Sequence, residues 1–203
     1  MAWCLSSDAQ NKALQTNYPR PNMYSSAKAT ETSCGRGHLV LYLDFDGVLH
    51  HENVRVSNKS GPFLQAPERY RLFQHAELLA SLLEPYPNVL IVLSTSWAVR
   101  YGVSDAAKRL PNALQSRVVG GTYHSRHMHK LEFQEMQRGQ QVVADVMRRQ
   151  PRDWLALDDD MEGWSTNARH HVLTHMYEGI SDPEVLETFA KKLGAMCKPQ
   201  NTK

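Results

Sequence analysis

The chain has 203 residues, 41% of them hydrophobic and 22% charged, and a formal net charge of +2. That length and apolar content support one ordinary domain with a real core and exclude a chain disordered throughout. No apolar run approaches the ~18–20 residues of a membrane-spanning helix, and the first ten residues lack the basic and apolar segments of a secretory signal.

Residues 1–37 mix Ser, Thr, Asn, Gln, Pro and Gly without a sustained apolar period, which predicts a flexible N-terminal extension. A folded domain is expected over residues 38–197, with a short tail at 198–203. Its first strand is Leu39-Val40-Leu41-Tyr42-Leu43, a short continuous apolar run stopped by Asp44, as in a strand buried on both faces. A helix opened by Pro67 and closed by Pro85 follows, with Leu72, Ala76, Leu79 and Leu83 on one face. Val89-Leu90-Ile91-Val92-Leu93 is the second strand and ends in Ser94-Thr95-Ser96. A helix from a Ser104 cap to Leu110, stopped by Pro111, precedes a weaker strand at Arg117-Val118-Val119. Val142, Val143, Val146 and Met147 mark a helix that ends before Pro151. Strands at Trp154 to Leu157 and His171 to Thr174 come next. The last helix has Asp182 as N-cap, Pro183 in its first turn, a face of Val185, Leu186, Phe189 and Leu193, and Gly194 just beyond its end. Short buried strands alternating with amphipathic helices predict an α/β fold with a parallel sheet of about five strands.

Cys4, Cys34 and Cys197 are odd in number and widely spread. They suit neither a disulfide framework nor a zinc site, and a reducing, cytoplasmic setting is expected. Residues 100–152 hold ten Lys and Arg against four Asp and Glu, a local excess that favours an anionic substrate. A solvated helix face with uneven charge would read the same way.

In open α/β sheets ligands sit outside the carboxyl ends of the strands, and the chemistry-bearing residues fall there. The first strand runs into Asp44-Phe45-Asp46-Gly47, where carboxylates at i and i+2 can face one side and Gly47 permits a sharp turn. The second ends in hydroxyls, and the fourth in Asp158-Asp159-Asp160. Taken singly, an Asp-x-Asp marks a turn, an acidic triplet a solvated loop, and Ser94 to Ser96 a helix cap. Arranged in order at successive strand ends, they point to a site in which gathered carboxylates hold a cation or share protons. Oxygen ligands alone suit a hard ion such as Mg²⁺.

Leu41 to Leu49, with its hydrophobic strand and Asp-Phe-Asp-Gly-Val-Leu, resembles the first motif of the haloacid dehalogenase-like (HAD) hydrolase superfamily. Ile91-Val92-Leu93-Ser94 resembles the second motif, and Leu155-Ala156-Leu157-Asp158-Asp159 the fourth. Arg138 is the best match to the basic third motif, with Lys130 and Arg126 as alternatives. More narrowly, Ile91 to Trp97 with Arg100, Arg138 and the Asp158 pair is similar to the small HAD group named for RNA repair proteins. The resemblance covers about residues 39–195 and implies a three-layer Rossmann-like fold.

The resemblance further implies an Mg²⁺-dependent phosphomonoester hydrolase. Asp44 would be the nucleophile that forms an aspartyl-phosphate, and Asp46 the general acid and then base. Ser94, or Thr95 or Ser96 if the strand end is shifted, would donate to the phosphoryl group, and Arg138 would neutralise its charge. Asp44, the main-chain carbonyl of Asp46, and Asp158 would hold Mg²⁺, with Asp159 supporting and Asp160 competing for that role.

Neither the 47 residues between Asp46 and Ser94 nor the 43 between Ser94 and Arg138 leave room for a separate cap domain, although Leu49 to Ala66 could form a flap. An open pocket suits a phosphate on a large molecule such as a nucleic-acid end. His50 and His51 follow the first motif and His124, His127 and His129 lie in one polar loop; their spacing fits no familiar metal site, and a basic, partly protonated loop flanking the pocket is expected. Trp97 and Trp164 near the motif ends are expected in the core rather than as base-stacking platforms. The competing reading is a catalytically idle HAD-like module that binds RNA or protein. A receiver-like signalling domain is disfavoured, because it would place paired acids first and its lone acceptor Asp on a later strand.

Overall fold

Seven strands, seven α-helices and one 3-10 turn make up the described fold, seen in a computed structural model that describes residues 35–59 and 61–198. Residues 1–34, with Cys4 and Cys34, and residues 199–203 lie outside the described residues. The chain runs β1 (Leu39–Leu43), β2 (Val54–Ser57), β3 (Gly61–Leu64), α1 (Ala76–Leu83), β4 (Val89–Leu93), α2 (Ser96–Tyr101) and α3 (Val103–Ala107). It continues through α4 (Asn112–Gln115), β5 (Val118–Gly121), α5 (Lys130–Glu135), α6 (Arg138–Arg149), β6 (Asp153–Asp158), a single 3-10 turn at Ala168–His170, β7 (His171–Leu173) and α7 (Pro183–Met196).

Five strands form one all-parallel sheet in the order β5-β4-β1-β6-β7, so β1 lies at its centre. The two-residue period of β1 sorts its side chains between two cores. Leu39, Leu41 and Leu43 pack with Leu79 and Leu83 of α1 and Phe189 and Leu193 of α7. Val40 and Tyr42 face the other way, onto Val142 of α6, Trp154 and Trp164. Burial on both faces explains why β1 and β4 are continuous apolar runs. The second core is smaller and is completed by polar bonding. Tyr42 Oη donates to Asp145 Oδ2 at 2.9 Å, and Arg148 and Arg149 pair with the same buried carboxylate.

Local differences from the sequence expectation have local causes. The helix expected from Pro67 begins only at Ala76, because residues 67–70 close a turn and Phe73 takes a left-handed φ of 59° that no helix tolerates. The helix expected from a Ser104 cap to Leu110 is α3, which starts one residue earlier without a side-chain cap and ends at Ala107, and ahead of it the separate helix α2 is capped by the Thr95 side chain and ended by Gly102 at φ 86°. Gly194 lies inside α7, which continues until Met196 is buried. Between Asp46 and β4 the described chain forms only the antiparallel β2–β3 pair and α1 as regular elements, and no inserted domain stands over the sheet among the described residues.

Candidate active site

Register brings the strand-end residues together. Leu43 faces Leu93 on one side and Leu157 on the other, so the next residues, Asp44, Ser94 and Asp158, leave three adjacent strands side by side. Alternation turns them to the face of Tyr42, Val92 and Ala156, which α6 covers. Asp44, Ser94 and Asp158 are each at most 3% exposed.

Arg138, the first residue of α6, spans this row. Its Nη2 donates to Asp44 Oδ2 at 3.1 Å, its Nε lies 3.3 Å from Asp158 Oδ2, and its Nη1 donates to the Ser94 carbonyl at 2.8 Å. Gln141, one turn further on, accepts from the same Nη1 at 3.3 Å and donates to the carbonyls of Phe133 and Met136. The start of α6 is itself fixed. Gln137 and Gln140 form a reciprocal capping box. Gly139 N–H donates to the Glu162 carbonyl at 2.9 Å, and a Cβ there would fall 2.3 Å from the Gly163 backbone. Lys130 and Arg126, the alternatives to Arg138, are exposed.

Asp44, Asp158 and Asp159 each present a carboxylate oxygen within 4.8 Å of the others. Asp159 reaches this cluster because Gly47 has no side chain: a Cβ there would sit 2.1 Å from Asp159 Oδ2, and φ is 66°. Thr174 Oγ1 donates to the Gly47 carbonyl at 2.7 Å and holds the turn. Asp160 has other duties, since its carboxylate accepts from Glu162 N–H and its carbonyl from Trp164 Nε1.

Electrostatics mark the same spot. Burial raises the Asp44 pKa and the nearby Asp46 adds to the rise, while Arg138 opposes it. Asp158 is pushed well above the ordinary carboxyl range by burial and then by Asp44. Asp159 is pushed up to about 7, again by burial first and Asp44 second. For Arg138 burial works against the charge, but Asp44 and Asp158 outweigh it and raise its pKa above the ordinary value. Three carboxylates therefore face one guanidinium in a buried space. Ser94 Oγ is buried with no hydrogen-bond partner among the described residues, and Asp158 Oδ2 accepts no hydrogen bond there. An all-oxygen donor set of this charge fits a hard dication better than a transition metal.

The Asp46 side chain does not join the cluster. Its Oδ1 accepts from Trp97 Nε1 at 2.8 Å and pairs with His50 Nε2 at 3.0 Å. Thr95 hydrogen-bonds Asp44 and accepts from Trp97 N–H as the α2 cap, which leaves Ser94 as the uncommitted hydroxyl of the buried pair. His50 and His51, which follow the first motif, are buried at 0% and 8% exposure. The Asp46 partners are the residues that sequence reasoning missed. The available signal was the i, i+4 spacing of Asp46 and His50, since Val48 and Leu49 N–H both bond the Phe45 carbonyl in a helical turn.

The mouth is open and mixed in charge. A hollow of about 390 Å³ lies toward α5 and α6, lined by Val99, Phe133, Gln137, Arg138, Asp160 and Glu162 among others. A smaller one of about 130 Å³ lies between the β2–β3 pair and α2, lined by Asp46, Val54, Val56, Pro62, Trp97 and Arg100 among others. Part of the basic excess of residues 100–152 is taken up by internal contacts. Arg117 binds the carbonyls of Leu83, Tyr86 and Val89, and Arg148 and Arg149 bind Asp145.

Residues 40–185 match the family described as the HAD domain in Swiss Army Knife RNA repair proteins. No curated protein and no solved structure matches the chain. With the matched segment covering most of the sequence, and the strand order and strand-end acids in place, the chain belongs to the HAD domain family of Swiss Army Knife RNA repair proteins.

Proposed function

We propose that this HAD domain is an Mg²⁺-dependent phosphomonoesterase that works through an aspartyl-phosphate on Asp44. The observation that carries the reading is the convergence of Asp44, Asp158 and Asp159 within 4.8 Å at the centre of the sheet rim, beside Arg138 and the unpartnered Ser94 hydroxyl. Asp44, Asp158, Asp159 and the Asp46 main-chain carbonyl would hold the ion. When bound, Mg²⁺ screens the repulsion between a carboxylate nucleophile and a phosphate dianion.

Asp44 attacks phosphorus while the bond to the leaving oxygen breaks, and Asp46 gives its proton to that oxygen. Ser94 and Arg138 supply hydrogen bonds to the non-bridging oxygens as their charge develops. Water then attacks phosphorus, Asp46 takes its proton, and the Asp44–phosphorus bond breaks to release phosphate. Arg138 stays charged at any working pH, and its fork orients Asp44 as well as neutralising charge.

No cap stands over the site among the described residues, which supports a large or exposed phosphorylated substrate. The family name supports a nucleic-acid end as that substrate. The proposed catalytic unit is residues 38–197, and a cytoplasmic setting is in keeping with a Cys197 that forms no disulfide among the described residues. The test is a screen of 3′- and 5′-phosphorylated oligonucleotides, nucleotides, phosphopeptides and sugar phosphates, each with Mg²⁺ and with EDTA. Turnover that needs Mg²⁺ and prefers phosphorylated nucleic-acid ends is expected. Absence of metal-dependent turnover across the panel would leave the idle binding module as the better reading.

A further inference from the structure

Asp46 is held in an unusual way for a group that must reach a substrate. Trp97 Nε1 donates to its Oδ1 at 2.8 Å, and His50 Nε2 lies 3.0 Å from the same oxygen. His50 Nδ1 accepts the Phe73 N–H at 3.2 Å, which assigns the ring proton to Nε2 and makes His50 a donor to Asp46. Phe73 directs that N–H from a left-handed φ of 59°, a costly conformation for an aromatic residue. Rings close around these bonds: Phe73 lies 4.9 Å from His50 and 5.4 Å from Trp97, and Phe45 lies 5.2 Å from Phe73. His50 is fully buried and Trp97 is 3% exposed, whereas the Asp46 side chain remains 29% exposed.

The two donors therefore converge on one carboxylate oxygen from a dry aromatic cage, and Oδ2 accepts no hydrogen bond among the described residues. Resting on the acid–base role given to Asp46 above, we infer that His50 and Trp97 are positioning residues that lock the Asp46 rotamer and leave Oδ2 as its proton-transferring atom. Two fixed bonds on Oδ1 stop the carboxylate from rotating, so Oδ2 meets the leaving oxygen in one geometry. The strained Phe73 backbone orients His50 in turn. The same Oδ2 then faces the attacking water, so a single lock serves both half-reactions. Simple packing would explain the aromatic cage but not two donors and a strained peptide directed in series at one oxygen.

The test separates proton transfer from folding. In single-turnover reactions, 4-nitrophenyl phosphate leaves without help from an acid, whereas 2-phenylethyl phosphate needs one. Trp97→Phe and His50→Leu should slow release from the alkyl ester at least tenfold more than release from the aryl ester. His50→Gln, whose amide can still donate, should recover part of that difference. Where Asp46→Asn does discriminate the two esters, equal slowing of both by Trp97→Phe and His50→Leu, or none, would overturn the inference. A second measurement needs no turnover. The indole N–H resonance of Trp97, assigned by its loss in Trp97→Phe, should move upfield in Asp46→Ala, and an unmoved resonance would also overturn the lock. If Asp46→Asn itself fails to discriminate the two esters while the indole resonance behaves as expected, the lock stands and the acid–base assignment of Asp46 falls.

Discussion

Replacing Gly47 by alanine tests the proposed metal site from the backbone side. Gly47 has a φ of 66°, and an added Cβ would lie 2.1 Å from Asp159 Oδ2 and 2.8 Å from Asp159 Cβ. Rotation of the carboxylate cannot relieve the second contact, so Asp159 must leave the cluster. The left-handed backbone alone costs about 1–2 kcal/mol for a residue with a Cβ. Gly37→Ala is the control, since Gly37 has a φ of 70° and no atom within 4 Å of its added Cβ. Both variants should lose stability, but only Gly47→Ala should lose Mg²⁺ affinity. If it binds as proposed, Mg²⁺ at one hundred times its dissociation constant would stabilise the wild type by about 2.7 kcal/mol. For a domain of this size that is a rise in Tm of roughly 5–10 °C. A tenfold loss of affinity cuts the gain to about 1.4 kcal/mol, so the Mg²⁺-induced shift should halve or vanish in Gly47→Ala. Thermal unfolding with Mg²⁺ and with EDTA reads this directly. A wild-type Mg²⁺ shift in Gly47→Ala, or a lost shift in Gly37→Ala, would refute the role given to Asp159.

Asp44→Asn should lower turnover at least about a thousandfold while unfolding stays cooperative, because the amide cannot attack phosphorus; steady-state kinetics beside a thermal melt decides it, and retained activity would move the nucleophile elsewhere. Arg138→Met should lose nearly all activity, whereas Arg138→Lys should keep a fraction, since an ammonium reaches Asp44 or Asp158 but cannot fork to Ser94 as well. His75 supplies a pH signature. Burial lowers its pKa from the ordinary 6.5, with Glu178 opposing, so below pH 6.5 the unfolded chain binds the proton that the folded one refuses. Stability should therefore fall as pH drops from about 7 through 6.5 and level off below the folded value. His75→Gln should flatten that part of the urea-midpoint profile; an unchanged slope would count against the assignment.

The arrangement also accounts for the order of elements. Asp44 and Asp46 sit where the central strand ends, so neighbouring strands on both sides can contribute, Ser94 from β4 and Asp158 from β6. The third contribution comes from outside the sheet, at the N-terminal end of α6. There a capping box and the approach of Gly139 to Gly163 hold Arg138 over the row of strand ends.

The sequence alone determined the α/β class, both central strands to the residue, and the acid or hydroxyl that ends each. Leu39 to Leu43 and Val89 to Leu93 were legible because a doubly covered strand must be apolar at every position and is stopped by the first charged or hydroxyl residue. The N-terminal cap and proline of α7 were legible for a similar reason, since Asp182 and Pro183 act within their own turn. Only the tertiary structure decided which way the Asp46 carboxylate turns, which basic residue crosses the strand ends, and where α1 begins. Asp46 is separated from Trp97 by 51 positions, Arg138 from Asp44 by 94, and Phe73 from His50 by 23. Such partners carry no periodic signal along the chain. Strand composition answers to burial, which each residue meets on its own, whereas a hydrogen-bond partner depends on which other segment the packed fold delivers to it.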